Sequence, residues 1–146
     1  MKTYLVTGAA GFIGSNFVKY LLKKYGEDIQ IIIVDALTYA GNLASIKDEI
    51  ELDNVSFVKS DIADYETIKS VFTNNDIDYV VNFAAESHVD RSITNPKLFL
   101  ETNIIGTQNM LQCAREAWYV GKDEKGSPVY KDGVKYLQIS TDEVYG

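Results

Sequence analysis

Residues 7–15, which read TGAAGFIGS, constrain the fold of this chain more than any other stretch. They follow an apolar run and precede a helical pattern, and they place Gly8, Gly11 and Gly14 at regular spacing. In such a turn the first glycine permits a sharp bend, the second lets a diphosphate approach the backbone, and the third lets the helix pack closely. The N–H groups and the dipole at the start of that helix favour bound phosphate. The stretch therefore predicts a dinucleotide-binding turn.

Length and composition are those of one soluble globular domain, with 146 residues, 46% hydrophobic and 24% charged. The net charge of −7 argues against a nucleic-acid partner, because phosphate backbones bind basic surfaces. No apolar run is long enough to span a membrane and no signal peptide is visible, so no membrane partner is expected. Cys113 is the only cysteine, which excludes a disulfide framework or metal cluster and favours a reducing, cytoplasmic setting.

Apolar strands alternate with helical patterns along the whole chain. The predicted strands are residues 2–7, 30–35, 55–60, 78–83 and 134–141; the predicted helices are residues 12–25, 43–48, 64–75 and 98–119, and residues 121–133 form a surface loop or hairpin. This alternation predicts an α/β fold: a Rossmann-type parallel sheet of order 3-2-1-4-5 with helices on both faces, ending after the fifth strand. Ligands of such sheets bind at the carboxyl ends of the strands.

Two acidic residues stand at the ends of predicted strands. Asp35 ends the second strand, 21 residues after Gly14. A carboxylate there accepts hydrogen bonds from both ribose hydroxyls and repels a 2′-phosphate, so it selects NAD over NADP; the alternative is a solvated acid at a strand end. Asp61 and Ile62 follow the third strand, where they fit the edge and face of an adenine, although Asp61 equally fits a helix cap.

Small and polar residues follow the fourth strand. Ala84 and Ala85 would let a cofactor lie against the backbone, and the alternative for them is tight packing. Thr102 and Asn103 form a polar pair early in the long helix, where inward-facing polar groups require partners.

The fifth predicted strand ends in Ser140, Thr141, Asp142 and Glu143. Adjacent carboxylates repel each other, so the pKa of one of them is expected to rise. A neutral acid beside an ionised base is what the elimination of water requires. The alternative is an acidic turn that caps the strand.

Five segments carry a family resemblance that covers all 146 residues: TGAAGFIGS, DALTYAGN, NFAAESHVDRSI, ETNIIGT and STDEVYG. Together they resemble the extended short-chain dehydrogenase/reductase superfamily and, more narrowly, its nucleotide-sugar 4,6-dehydratases. STDEVYG discriminates within the superfamily, because the sugar-nucleotide epimerases and decarboxylases lack the Asp–Glu pair. The resemblance implies NAD as the cofactor, contacting Phe12, Ile13, Asp35, Leu37, Thr38, Asp61, Ile62, Ala84, Ala85 and Thr102.

The resemblance also implies a reaction, an internal redox dehydration of a nucleotide sugar. Ser87 and Thr141 would contact the sugar, Asp142 would be the general acid at C6, and Glu143 the base at C5, so that Thr141, Asp142 and Glu143 form the catalytic set. NAD would accept hydride from C4 and return it to C6 after water has left. The likeness as a whole favours a dTDP-sugar over a UDP-sugar, although the residues themselves leave the base open.

The dehydratases use a Tyr-x-x-x-Lys pair downstream of STDEVYG, and this sequence ends at Gly146. We therefore expect residues 1–146 to be the NAD-binding Rossmann part of a longer homodimeric enzyme, without its C-terminal substrate domain and inactive alone. Tyr20–Lys24 and Tyr65–Lys69 match the spacing, but they lie upstream on predicted crossover helices and are interpreted as chance. The free edge of the fifth strand and one apolar face of the long helix are expected to be uncovered.

Some assignments stay open at this point. The chain also fits another extended short-chain member, an epimerase or decarboxylase, and a non-catalytic NAD-binding module. His88 has no assigned role, whereas Asp90 and Arg91 are interpreted as a helix cap and its ion-pair partner. No metal site is expected, since His88 is the only histidine. Cys113 and Trp118 are interpreted as packing or interface residues on the long helix.

Overall fold

The structure is a computed structural model that describes residues 1–38 and 41–145, without the side chain of Glu143. The strands are β1 (Lys2–Thr7), β2 (Ile29–Asp35), β3 (Val55–Lys59), β4 (Tyr79–Asn82), β5 (Tyr119–Lys122), β6 (Pro128–Tyr130) and β7 (Lys135–Gln138). The α-helices are α1 (Phe12–Tyr25), α2 (Tyr65–Asn74), α3 (Val89–Thr94), α4 (Pro96–Phe99) and α5 (Thr107–Trp118). Short 3₁₀ turns cover Gly26–Asp28, Leu43–Ile46, Glu49–Glu51 and Asp142–Val144, and a π-helical segment covers Leu100–Gly106.

Five strands form one parallel sheet in the order β3-β2-β1-β4-β7. At its centre Leu5 pairs with Ile32 on one side and with Val80 on the other. The predicted Rossmann order is confirmed, because β7 is the fifth parallel strand and the two strands before it form a separate antiparallel hairpin. The carboxyl ends of the five strands therefore lie along one edge of the sheet.

Both faces of the sheet are covered by helices, which explains why β2 reads IQIIIVD almost without interruption. On one face, Ile32 packs in a cluster with Ile68 of α2 and Met110 of α5. On the other face, Ile33 packs in a cluster with Val18 of α1. Cys113 and Trp118 are buried in the first cluster, and the Trp118 indole N–H donates to the Ile77 carbonyl at 2.7 Å. Their predicted packing role is confirmed.

The long helix differs from the prediction of residues 98–119. It begins two residues earlier because Pro96 occupies the first turn and the Asn95 side chain accepts the Leu98 N–H at 3.3 Å. It then passes through the π-helical segment before α5 begins. Gly106 ends that segment directly against Ile62, whose side chain a Cβ at position 106 would overlap. The preceding short helix α3 was not predicted.

The fifth strand is shorter than the predicted residues 134–141. Its last ladder bond runs from the Ile139 N–H to the Asn82 carbonyl at 3.1 Å. Because β4 also ends at Asn82, the chain beyond Ile139 has no strand to pair with. Thr141 therefore lies in the turn after the strand and not within it.

The hairpin of β5 and β6 is joined to the amino end of the sheet through the buried carboxylate of Asp78. Asp78 accepts the Thr3 N–H at 3.0 Å, and Lys131 of the hairpin lies 3.5 Å from Asp78 and 2.7 Å from Asp76. Burial opposes ionisation of Asp78, but the Thr3 N–H, Lys131 and Lys2 together hold the pKa of its carboxyl below the ordinary value. The hairpin predicted as one alternative for residues 121–133 is therefore present and anchored.

The two surfaces that were expected to be uncovered are exposed among the described residues. β7 lies at the end of the sheet and pairs there only with β4. The helical region presents exposed apolar side chains at Leu100, Ile104, Ile105 and Leu111. Within the described ranges no helix has the length and apolar character needed to cross a membrane.

Candidate functional site

The glycine turn packs directly against the end of β4. Gly8 has a φ of +68°, and a Cβ there would lie 2.7 Å from the Ala84 nitrogen and 2.8 Å from the Phe83 carbonyl carbon. Gly14 lies against the turn itself, because a Cβ there would lie 2.8 Å from the Ala9 Cα. Gly8 thus serves both the bend and a close contact between two strand ends, whereas Gly14 packs on the turn rather than on the strand.

Helix α1 starts at the edge of the sheet without a side-chain cap among the described residues. Its N-cap is Gly11, with extended φ and ψ of −76° and 171°, and its first turn contains no acidic residue. The side chains of Phe12 and Ile13 are 84% and 64% exposed, and the cofactor contacts of these two residues stay predictions. An uncapped helix start of this kind has N–H groups available for an anion.

Asp35 is 8% exposed, and both of its carboxylate oxygens accept hydrogen bonds from backbone amides. Oδ2 accepts the Ala10 N–H at 2.9 Å, and Oδ1 accepts the Leu37 N–H at 2.8 Å. Gly41 lies so close that a Cβ there would be 2.8 Å from Oδ1. Asp35 is therefore not the solvated strand-end acid of the alternative interpretation. It ties the glycine turn to the loop after β2, and it lines the cleft described below.

The loop after β2 holds a strained residue. Leu37 has a φ of 53°, a left-handed conformation that costs free energy for a residue with a Cβ. The loop is closed by bonds from the Gly41 N–H to the Thr38 carbonyl at 2.8 Å and from the Asn42 N–H to the Ala10 carbonyl at 3.1 Å. The conformation of Leu37 is thus held by its own N–H bond to Asp35 and by these two bonds that follow it in the loop.

Asp61 forms a turn of its own and is not the cap of α2. Its Oδ1 accepts the Ala63 N–H at 2.9 Å, whereas the cap is Asp64, whose Oδ1 accepts the Thr67 N–H at 3.3 Å. Bonds from Thr67 hold the pKa of the Asp64 carboxyl below its ordinary value. Ile62 is buried and presents its carbonyl to the Asn109 side chain at 3.0 Å.

One cleft of about 120 Å³ at the carboxyl edge of the sheet collects most of the predicted cofactor residues. Those that line it are Gly8, Gly11, Asp35, Thr38, Asp61, Ile62, Ala84, Ala85 and Thr102. Phe12, Ile13, Gly14 and Leu37 are predicted residues that do not line it, although they lie in the turn and loop that do. Residues that the sequence did not single out also line it: Val34, Ala36, Gly41, Ser60, Phe83, Glu86 and Leu98.

Glu86 is the most informative of the residues that sequence reasoning missed. It is a buried acid that lines the cleft, and both its backbone N–H and its backbone carbonyl are hydrogen-bonded to the Asn103 side chain. The Asn103 Oδ1 accepts the Glu86 N–H at 2.8 Å, and the Asn103 Nδ2 donates to the Glu86 carbonyl at 2.8 Å. This reciprocal pair is the polar partner that Asn103 was predicted to need, while Thr102 faces the cleft. The signal that could have pointed to Glu86 is its position directly after Ala84 and Ala85, which were predicted to contact the cofactor.

Among the predicted chemical residues whose side chains the structure describes, none lines this cleft; these are Ser87, Thr141 and Asp142. Thr141 is half-buried after β7, Asp142 is exposed in the 3₁₀ turn Asp142–Val144, and Ser87 is exposed after the loop from β4. Because β7 pairs with β4, Thr141 and Ser87 follow neighbouring strand ends. The side chain of Glu143, and with it the pKa shift expected of the Asp142–Glu143 pair, lies outside the described residues.

The remaining candidates lie away from the cleft or have structural roles. The Tyr20–Lys24 pair lies on α1, where the Lys24 Nζ is 3.4 Å from the Tyr20 hydroxyl, and the Tyr65–Lys69 pair lies on α2. None of these four side chains lines the cleft. His88 is the N-cap of α3, so the prediction that Asp90 caps a helix is wrong; Asp90 lies within the first turn. Burial raises the pKa of the Cys113 thiol to about 11.

A parallel sheet of order 3-2-1-4-5, with a three-glycine turn leading into the first helix, defines a Rossmann-fold domain of the doubly wound class. The chain belongs to the GDP-mannose 4,6-dehydratase family, whose model matches residues 5–146.

Individual relatives place the likeness more narrowly. The chain is 45% identical over 147 aligned residues to a dTDP-glucose 4,6-dehydratase of Xanthomonas campestris and 46% identical over 142 residues to one of Escherichia coli. These alignments cover 100% and 97% of this chain. They cover only 39% and 37% of the relatives, so the chain spans well under half the length of the curated relatives that it matches.

Solved structures show the same likeness. A dTDP-glucose 4,6-dehydratase from Bacillus anthracis, crystallised in complex with NAD, matches with a TM-score of 0.78 and 40% identity. A UDP-Glc/GlcNAc 4-epimerase from Campylobacter jejuni matches with a TM-score of 0.80 and 27% identity. Each comparison covers 100% of this chain and 39% of the other. The fold is thus shared with epimerases, while the sequence is more similar to the dehydratases.

Proposed function

We propose that this chain is the NAD-binding part of a dTDP-glucose 4,6-dehydratase, which converts dTDP-glucose to dTDP-4-dehydro-6-deoxyglucose. The observation that carries the proposal is the cleft in which the glycine turn, Asp35 and Ala84 meet at the carboxyl edge of the sheet. Its support from sequence is the 45% identity to an enzyme of that name. The product is a deoxysugar precursor of the kind used in rhamnose synthesis. A single buried thiol favours a cytoplasmic setting for this reaction.

The residues at the cleft suit the chemical groups of NAD. The uncapped start of α1 and the Cβ-free surface of Gly11 suit the diphosphate. Asp35 has two carboxylate oxygens whose remaining lone pairs suit the adenosine ribose. Asp61 and Ile62, which follow β3, suit the adenine. Ala84 and Ala85, which follow β4, and Thr102 of the π-helical segment suit the nicotinamide half; all five residues line the same cleft.

The segment after β7 is assigned the dehydration. When bound, NAD⁺ would supply the hydride acceptor for C4 and the hydride donor for C6. The proton of the C4 hydroxyl would go to the Tyr-x-x-x-Lys pair that the resemblance places downstream. With a ketone at C4 the C5 proton becomes acidic, and the Glu143 carboxylate removes it. The Asp142 carboxyl protonates the C6 hydroxyl, which leaves as water, and Glu143 returns a proton, exchanged with solvent, to C5 once C6 is reduced. Ser87 and Thr141 hold the sugar. The exposure of Asp142 beside the end of β4 supports this assignment.

We assign the exposed apolar face of the helical region to a homodimer contact of the whole enzyme. Leu100, Ile104 and Leu111 expose large apolar side chains in this region, and contiguous exposed apolar surface is typical of interfaces. An epimerase or decarboxylase of the same superfamily is the second candidate, favoured by the fold likeness to the Campylobacter jejuni epimerase. The Asp142–Glu143 pair favours the dehydratase.

Calorimetric titration of the chain with NAD⁺ and NADP⁺ tests the cofactor assignment. We expect NAD⁺ to bind with one site per chain and NADP⁺ to bind at least about tenfold more weakly, because the 2′-phosphate would face the Asp35 carboxylate. Asp35→Asn should reduce this preference, whereas Asp48→Asn, which makes the same change at an exposed position away from the cleft, should preserve it. Equal binding of both cofactors by the unmodified chain would contradict the assignment.

A further inference from the structure

A continuous set of hydrogen bonds crosses the carboxyl edge of the sheet beneath the cleft. The Ala84 N–H donates to the Thr7 Oγ1 at 3.3 Å, and the Thr7 hydroxyl donates to the Asn82 Oδ1. The Asn82 Nδ2 donates to the Gln138 Oε1 at 2.9 Å, and the Tyr136 hydroxyl donates to the same oxygen at 2.9 Å. The bonds therefore link β1, β4 and β7 through side chains, in addition to their backbone ladders.

The donors and acceptors follow one direction along this set. The Ala84 amide donates to the Thr7 oxygen, and the Thr7 hydroxyl donates its own proton to the Asn82 Oδ1. The Asn82 amide then presents its Nδ2 to β7, where it requires an acceptor. Burial raises the pKa of Tyr136 to about 12, so Tyr136 stays a protonated donor and the Gln138 Oε1 is the common acceptor.

Burial makes the acceptor on Gln138 important. Thr7 and Asn82 are both 0% exposed, whereas Gln138 lies on the open strand β7. If the Gln138 oxygen were removed, the Asn82 Nδ2 would lose its acceptor at 2.9 Å and would keep only its weaker interaction with the Tyr136 hydroxyl. A buried donor without a partner costs more than the hydrogen bond contributes, so the Asn82 side chain would reorient. Its reorientation would release the Thr7 hydroxyl, which holds the Ala84 amide.

We propose that Gln138 is a positioning residue that acts through Asn82 and Thr7 to hold the Ala84 backbone in the wall of the cleft. Gln138 lies on the same strand as the segment that starts at Thr141, so the set of bonds aligns the cofactor cleft with the segment assigned to dehydration. The inference rests on the proposed function for its consequence, since the cleft must bind NAD, but the link itself is a property of the cofactor-free chain.

Three variants test the link. Gln138→Met removes the acceptor and keeps the size, and Gln138→Glu keeps two acceptor oxygens. Gln112→Met makes the same change on α5, where Gln112 also accepts one side-chain bond at 2.9 Å. The first measurement is the ¹H–¹⁵N resonance of the Ala84 amide in the cofactor-free chain. The second is the affinity for NAD⁺ by calorimetry.

We expect Gln138→Met to shift the Ala84 amide resonance and to weaken NAD⁺ binding about threefold to tenfold, the range that one neutral hydrogen bond corresponds to. Gln138→Glu should restore both values, and Gln112→Met should change neither. An Ala84 resonance that is the same in Gln138→Met and the unmodified chain would overturn the proposal. So would equal effects of Met and Glu at position 138.

A further variant tests the proposal in case Gln138→Met does not fold. If Gln138→Met fails to fold, Tyr136→Phe removes one donor to the same oxygen and should move the Ala84 resonance by a smaller amount in the folded chain; an unmoved resonance there would overturn the proposal. Failure of the proposed function has a different signature, because the unmodified chain would then fail to bind NAD⁺ whatever the Ala84 resonance does.

Discussion

Replacement of Gly8 with alanine is expected to destabilise the fold by about 3–5 kcal/mol, the range of the most disruptive single substitutions. The added Cβ would lie 2.7 Å from the Ala84 nitrogen and 2.8 Å from the Phe83 carbonyl carbon, and both are backbone atoms that cannot rotate away. The φ of +68° adds the cost of a left-handed conformation. Urea unfolding followed by circular dichroism measures the change in the free energy of unfolding.

Two other glycines separate the causes. Gly26 has a φ of +56° and a ψ of −126° with nothing within 4 Å of its added Cβ, so Gly26→Ala should cost only the conformational strain, about 1–3 kcal/mol. Gly11 has a φ of −76° and its nearest contact is the Gly8 carbonyl oxygen at 3.3 Å, so Gly11→Ala should fold and bind NAD⁺ at least about tenfold more weakly. Equal stability of Gly8→Ala and Gly26→Ala would refute the close contact, and unchanged NAD⁺ affinity of Gly11→Ala would refute the placement of the diphosphate.

Glu143→Gln is expected to reduce dehydration about 10²–10⁴-fold, the usual contribution of a positioned acid or base. The test uses a hybrid enzyme in which these 146 residues replace the matching part of the Xanthomonas campestris relative. Glutamine cannot accept the C5 proton, but oxidation at C4 does not need that step. Reduced cofactor should therefore accumulate on the variant after dTDP-glucose is added, which its absorbance reports.

Glu124→Gln is the matched control, because Glu124 is an exposed acid in the hairpin loop and does not line the cleft. It should leave both turnover and cofactor spectrum unchanged. Dehydration at the full rate by the Glu143→Gln hybrid would remove Glu143 from the reaction. A hybrid that isomerises the sugar at C4 without loss of water would favour the epimerase as the function.

The order of the parallel sheet could be predicted because its strands and the first helix had local signals. The nearly continuous aliphatic strand Ile29–Asp35 required cover on both faces, and the three glycines at positions 8, 11 and 14 required a strand before and a helix after. The errors come from contacts that are distant in sequence. The fifth strand stops early because its partner β4 ends at Asn82, and the π-helical segment ends where Gly106 meets Ile62.

The site could be predicted where residues stand at strand ends, as Asp35 and Ala84 do. The sequence did not reveal how these residues are held. Asp35 accepts the backbone N–H groups of Ala10 and Leu37 from separate loops, and Leu37 is itself left-handed. The Asn103 side chain is hydrogen-bonded to both the backbone N–H and the backbone carbonyl of Glu86. Such bonds join segments far apart in the chain, and no local pattern distinguishes an acid that organises a turn from one that faces solvent.

The most direct test of the proposed function is turnover of dTDP-glucose by the unmodified hybrid in deuterated water. We expect a product that has lost one water and carries one deuterium at C5, formed without added NADH and without net change in the bound cofactor. Mass spectrometry and nuclear magnetic resonance report both features. A hybrid that folds and binds NAD⁺, yet returns dTDP-glucose unchanged or converts it only to its C4 epimer, would contradict the account.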